Sequence, residues 1–289
     1  MNRVQKLLGG GYLTLVFLFL YVPTACVVFY SFNESQLVTV WSGFSLKWYQ
    51  ALTTDEELIS AAWASLKIGV ATAFAAVFIG TWAGFVLYRF RRFRGLTLFT
   101  AMINAPLVIP EVIQGISLLL LFVALEEAIG WPERGLLTVW IGHTMLCVSY
   151  VALTVLARLG SMDESLHEAA ADLGATPLRV WIDITLPLIA PALLSGWLLS
   201  FTISIDDVLM TAFLSGPDST LLPMVVFSRV RLGLNPEVNA LGTLFIVAVT
   251  IGVVLNNHWM LKRQRRRELQ MAQSLRSDNA GSVEVRHVG

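Results

Sequence analysis

Three carboxylates lie where carboxylates are costly. Glu111, Asp206 and Asp207 sit inside long apolar runs of this 289-residue chain, and a charge at the centre of a bilayer costs about 2.5 to 3.5 kcal/mol on insertion scales. Each must therefore face a polar partner, water or a path for something cationic, unless it is protonated or near enough to the surface to be wet. Two chemistries suit acids so placed. One is holding a cation, and the other is proton sharing between two carboxylates, as in an intramembrane aspartyl protease. The second needs the carboxylates face to face. Neighbours on one helix point about 100° apart, so Asp206 and Asp207 do not form that pair, and at most one of them looks straight along a given path. His143 reads as a hydrogen-bonded packing residue, and Cys26 and Cys147 read as small buried side chains rather than a disulfide or metal site. No Walker A pattern or other Gly-rich phosphate loop is present, so the chain holds no cofactor of that kind itself.

The elements that carry these acids are membrane spans. The chain is 56% hydrophobic and 14% charged, with a mean hydropathy of +0.69, far from the roughly 25% charged residues of a soluble domain. A helix needs about 20 apolar residues to cross the hydrocarbon layer. Six stretches qualify: Tyr12–Phe32, Ala62–Tyr88, Leu96–Leu125, Leu136–Ala157, Leu188–Phe213 and Val238–Met260. The fold class is thus all-α, a six-span membrane protein over residues 12–260. Pro106 and Pro110 predict a break in the third span, with Asn104 satisfying backbone freed there.

Orientation follows from Lys and Arg, which insertion retains on the cytoplasmic side. With the N-terminal segment 1–11 inside, Arg3, Lys6, Arg89, Arg91, Arg92, Arg94, Arg158, Arg179 and the seven Lys and Arg residues of the tail 261–289 are cytoplasmic, 15 of the 20. Both termini are expected in the cytoplasm. The first run is longer than a signal-peptide core and no A-x-A-like site follows it, so it reads as an uncleaved anchor.

Between the fourth and fifth spans lies a cytoplasmic loop, 158–187, with helical signals of its own. Ser161 and Glu164 form a capping-box pattern, Leu166, Ala169, Ala170 and Leu173 recur on one helical face, Gly174 offers a C-terminal stop, and Thr176–Pro177 starts a second helix that Pro187 ends. An amphipathic hairpin on lipid headgroups is the plain reading. Its opposite face carries Asp163, Glu164, Glu168 and Asp172, which anionic lipid repels, so a groove on another protein suits it better.

Glu168, Ala169, Ala170 and Gly174, followed after nine residues by Ile184, Leu186 and Pro187, resemble the EAA signature of ATP-binding-cassette (ABC) importer permeases at every defined position. The resemblance implies a MetI-like permease fold in the bacterial inner membrane, in which these seven residues belong to a coupling hairpin that docks into an ATPase subunit. ATP and Mg would be bound by that subunit, not by this chain. Ser31–Tyr49, Phe201–Asp207 and Gly216–Leu241 are similar to spermidine and putrescine importer permeases, and Gly130–His143 points to the putrescine-specific branch. A second permease subunit, two ATP-binding subunits and a periplasmic polyamine-binding protein are the implied partners. The equal numbers of acids and bases argue against nucleic acid.

The external loops carry Glu34, Asp55, Glu56, Glu57, Glu126, Glu127, Glu133, Asp218 and Glu237, an acidic entrance that would concentrate an organic dication. Trp41, Trp48 and Tyr49, with Phe44, either line a cation path or form an interfacial belt. A self-sufficient secondary transporter is the competing transport class, and it leaves the capped hairpin without a purpose.

Overall fold

The computed structural model describes residues 3–251 apart from 38, 39, 91, 164, 218 and 233–235, together with residue 254; side chains are described from residue 9 onward, without those of 167 and 171. In chain order the helices are α1 (Arg3–Tyr30), α2 (Lys47–Thr54), α3 (Glu56–Arg89), α4 (Leu96–Val108), α5 (Glu111–Ile129), α6 (Leu136–Gly160), α7 (Ser165–Asp172), α8 (Pro177–Val180), α9 (Leu186–Asp206), α10 (Leu209–Leu214), α11 (Leu222–Leu232) and α12 (Pro236–Ile251). Among the described residues five helical stretches are long and apolar enough to cross a membrane: Gly9–Tyr30, Glu56–Arg89, Glu111–Ile129, Leu136–Gly160 and Pro177–Asp206. α4 and α12 are apolar but shorter. The chain divides into two compact units, residues 1–52 with 234–289, and residues 53–233.

In the first unit, α1 exposes apolar side chains such as Phe19 and Tyr21 along its length, as a helix surrounded by lipid would. The loop after it is built on Asn33. This side chain is buried, its Nδ2 donates to the Val40 carbonyl at 2.7 Å, and its Oδ1 accepts from the backbone N–H groups of Ser35 and Ser42. One amide side chain thus ties down the turn, beside the single antiparallel bridge that pairs Asn33 with Phe44. The expected sixth span is helical over Pro236–Ile251; the rest of its predicted length, save residue 254, and the basic tail lie outside the described residues.

The second unit is a bundle of α3, α6 and α9, with α4, α5, α10 and α11 packed on it. α3 and α6 approach closely because Gly80 and Gly84 stand one turn apart at their contact. A Cβ on Gly84 would fall 2.6 Å from the Ala152 carbonyl oxygen, and one on Gly80 would fall 2.7 Å from the Val151 side chain. Small residues at this spacing let helices associate where no hydrophobic effect drives them together.

Several boundaries differ from the sequence expectation. Pro106 lies inside α4 and does not break it; the break falls at Ile109–Pro110. Losing one backbone donor is tolerable inside a span. Gln114 closes the gap, donating from Nε2 to the carbonyls of Pro106 at 2.8 Å and Ile109 at 2.6 Å. Asn104 instead donates to Thr100 within its own helix. Ser161 caps the C-terminus of α6, its hydroxyl donating to the Arg158 carbonyl, because α6 runs on to Gly160; Glu164 lies outside the described residues. Pro187 does not end the second hairpin helix. α8 continues through a π-helical turn, Trp181–Thr185, into α9. There the Leu186 N–H reaches the Trp181 carbonyl, and the widened turn makes room for the proline ring that an α-helix would drive against the preceding turn. The fifth span is not continuous to Phe213 but stops at Asp206, and α10 resumes at Leu209.

Candidate functional site

The hairpin between α6 and α9 presents the signature residues at an exposed corner. Asp163 opens α7, its carboxylate accepting from the Ser165 N–H at 3.0 Å, and that backbone bond holds the Asp163 carboxyl below the usual carboxylate range. α7 ends at Asp172, and the chain turns at Gly174, whose φ of +78° is the left-handed conformation that glycine takes freely. The Ala175 N–H bonds the Ala170 carbonyl at 3.0 Å, the six-to-one bond of a Schellman turn. Glu168, Ala169, Gly174 and Pro187 are exposed, Ala170 and Ile184 half-buried, and Leu186 at the exposed edge. Beside them Leu173 is 89% exposed and Leu178 68% exposed. Two exposed leucines thus flank the signature residues on a polar corner.

The corner is rigidly mounted. Trp181 stacks on Trp82 and meets Phe85 edge-on, both on α3. Arg158 Nε donates to the Leu188 carbonyl at 3.2 Å, joining the end of α6 to the start of α9. From Pro177 to Asp206 the helix is one rod, roughly 45 Å long at 1.5 Å per residue.

The rod ends at the acid pair, and its two members have different surroundings. Asp206 is exposed, the last residue of α9. Its carboxylate adds to the partial negative charge of the helix C-terminus, an arrangement that attracts cations. Asp207 is 8% exposed and points inward. Its Oδ1 accepts from the Thr211 N–H at 3.0 Å, closing the first turn of α10, and lies 3.7 Å from His143 Nε2. His143 Nδ1 is 2.8 Å from Ser204 Oγ, and its Nε2 is 3.2 Å from Thr211 Oγ1. Sequence reasoning allowed at most one of the two aspartates to face the path without assigning which, and it missed Ser204 and Thr211. Their one signal was the spacing of hydroxyl residues around Asp207.

Glu111 is exposed at the first turn of α5, just past the α4–α5 break. A carboxylate there is stabilised by the positive end of the helix, so its cost is already partly offset without a cargo. Asp55 and Glu57 are engaged within the protein. Arg229 on α11 reaches Asp55 Oδ2 from Nη1 at 2.6 Å and Glu57 Oε2 from Nη2 at 3.0 Å. This guanidinium holds the Asp55 carboxyl below the usual carboxylate range, with the Leu58 N–H adding to the effect, and the two acids push the Arg229 pKa up. Asp218 lies outside the described residues.

The aromatic residues serve packing in the first unit. Trp48 is buried, its indole N–H donating to the Asn33 carbonyl and its ring lying under Lys47 Nζ. Tyr49 Oη bonds Ser31 Oγ at 2.7 Å, and Trp41 stacks on Phe29.

Residues 76–267 match the family described as "Binding-protein-dependent transport system inner membrane component". The chain is 54% identical over 265 residues to the putrescine transport system permease protein PotI of Escherichia coli (strain K12), covering 90% of this chain and 94% of that protein. It is 38% identical over 251 residues to the spermidine/putrescine transport system permease protein PotC of the same organism, covering 87% and 93%. Its fold is similar to that of a chain in the crystal structure of a bacterial ABC transporter involved in the import of the acidic polysaccharide alginate. That likeness has a TM-score of 0.65 at 16% sequence identity and covers 89% of this chain and 96% of the other.

Proposed function

Because this chain belongs to the family of binding-protein-dependent transport system inner membrane components, we propose that it is the permease subunit that carries a polyamine, putrescine in preference to spermidine, from the periplasm to the cytoplasm. It is a multi-pass membrane subunit of a transporter, not an enzyme. The observation that carries the choice of cargo is the 54% identity to a putrescine permease over 90% of the chain. The exposed Asp206 at the negative end of α9 supplies the matching chemistry, an anionic point for an organic dication.

In this reading both termini are cytoplasmic. The chain pairs with a second permease subunit, a periplasmic binding protein delivers the amine, and two ATPase subunits, which hold ATP and Mg, grip the hairpins. Glu168, Ala169, Ala170, Gly174, Ile184, Leu186 and Pro187 form or support the gripped corner, with Leu173 and Leu178 filling a groove in the ATPase. Movement of the corner passes along the rod from Pro177 to Asp206 without an intervening loop. Asp206 is the first choice for a cargo contact in the path, Glu111 the second, and Asp207 acts on the path through the turn it caps.

The test is reconstitution of the four components in vesicles with labelled putrescine and spermidine outside. ATP-dependent accumulation of putrescine exceeding that of spermidine is expected. Accumulation of neither amine would refute the reading, and a preference for spermidine would refute its finer part.

A further inference from the structure

His143 does something that stability alone does not explain. The residue is 2% exposed, and its neighbours fix its ring. Thr211 Oγ1 donates its single proton to the Asp207 carbonyl at 3.1 Å. The 3.2 Å contact to His143 is therefore an Nε2–H donated to Thr211 Oγ1, and Nδ1 accepts the Ser204 hydroxyl at 2.8 Å. Side chains from α9, α6 and α10 thus form one relay, Ser204 to His143 to Thr211, that ends on Asp207 at the break. The far end of α10 is pinned to the same helix, with Thr138 Oγ1 2.7 Å from the Leu214 carbonyl. Side-chain hydrogen bonds inside membrane bundles average only about 0.6 kcal/mol each. What the hydrogen bonds supply is direction. They hold Asp207 inward as the cap of α10, which leaves Asp206 as the exposed member of the pair.

We propose that His143 is a positioning residue, which locks the α9–α10 break so that Asp206 alone presents its carboxylate to a cationic cargo. This rests on the polyamine reading above.

The experiment compares vesicles holding the complete complex and reads putrescine delivered per ATP hydrolysed. A general loss of structure lowers delivery and hydrolysis together, whereas a misdirected carboxylate lowers their ratio. His143→Leu is expected to lower the ratio about tenfold, as loss of one directed charge contact does. His143→Gln, whose amide both donates and accepts, should restore most of it. In a double-mutant cycle His143→Leu should add nothing to Asp206→Asn, because both remove the same interaction. If His143→Leu does not assemble, Thr211→Val, which removes the same hydrogen bond at equal volume, is judged by the same criteria. A ratio within twofold of wild type, or effects that multiply in the double mutant, would overturn the positioning role while leaving the cargo reading intact. An unchanged ratio in Asp206→Asn alone would overturn the positioning role and move the cargo contact to Glu111, and only a failure of wild-type vesicles to accumulate either amine would overturn the cargo reading.

Discussion

Replacing Gly174 by Ala isolates the shape of the hairpin corner from its chemistry. No heavy atom lies within 4 Å of a Cβ built on Gly174, so the new methyl meets nothing. The whole effect comes from φ at +78°, where an L-residue with a Cβ loses about 1 to 2 kcal/mol relative to glycine. The rod beyond the corner is held by Trp181 and Arg158, so the penalty falls on the turn rather than on the bundle. A penalty of about 1 to 2 kcal/mol lowers the ratio of correctly formed to unformed corner roughly 5- to 30-fold, and the apparent affinity for the ATPase falls by up to that factor. Titrating purified ATPase onto permease in nanodiscs measures this directly. Gly174→Asn should recover much of the loss, since asparagine enters the left-handed region more readily than alanine. Equal affinity for wild type and Gly174→Ala would refute the reasoning, as would an asparagine variant no better than the alanine one.

Three further outcomes follow from the packing and the charges. Gly84→Leu forces a side chain into the Ala152 backbone, which a Cβ already meets at 2.6 Å; it should destabilise the bundle by about 1 to 3 kcal/mol or more and lower the melting temperature of the detergent-purified subunit, while Ile79→Leu on the exposed face of the same helix should not. Gln114→Leu removes the bonds to the carbonyls of Pro106 and Ile109, at about 0.5 to 1.5 kcal/mol for each hydrogen bond lost, and faster hydrogen exchange at residues 111–114 would report the opened break. Asp55 has its folded pKa depressed by Arg229, so the attachment of α11 to α3 is fully present above the ordinary carboxylate value of 3.8 and is lost as pH falls through the lower folded value. Melting curves of wild type should drop below about pH 4 relative to Asp55→Asn, and parallel curves would contradict the pairing.

Most of the architecture was legible because bilayer physics writes it in composition. Long apolar runs and the Gly174 and Pro177 punctuation each report one local cost, and a local cost can be read without knowing the neighbours. The features that escaped depend on contacts distant in sequence. Pro187 reads as a stop until Trp181 is seen anchored on α3, which holds the widened turn in place. The break after Asp206 contains neither glycine nor proline, and only the partners of Asp207 across α6 and α10 explain it. The pairing of two loop acids escaped for the same reason, since Arg229 lies 172 residues from Glu57 in the chain yet bonds it. Helix α11 falls within a segment whose moderate apolarity gave no span signal.

The π-helical turn at Trp181–Thr185 has a geometric consequence for the whole subunit. Such a turn holds one residue more than the α-helical ladder needs, and one residue is worth about 100° of rotation about the axis. The angular phase between the corner at Gly174 and the carboxylate at Asp206 is thereby offset from what an unbroken α-helix would give. Deleting a single residue there would shorten the chain only slightly, yet would rotate Asp206 to another compass bearing and leave both ends of the rod otherwise intact. In this subunit the bearing of the acid is set in the turn next to the hairpin corner, far from the acid itself.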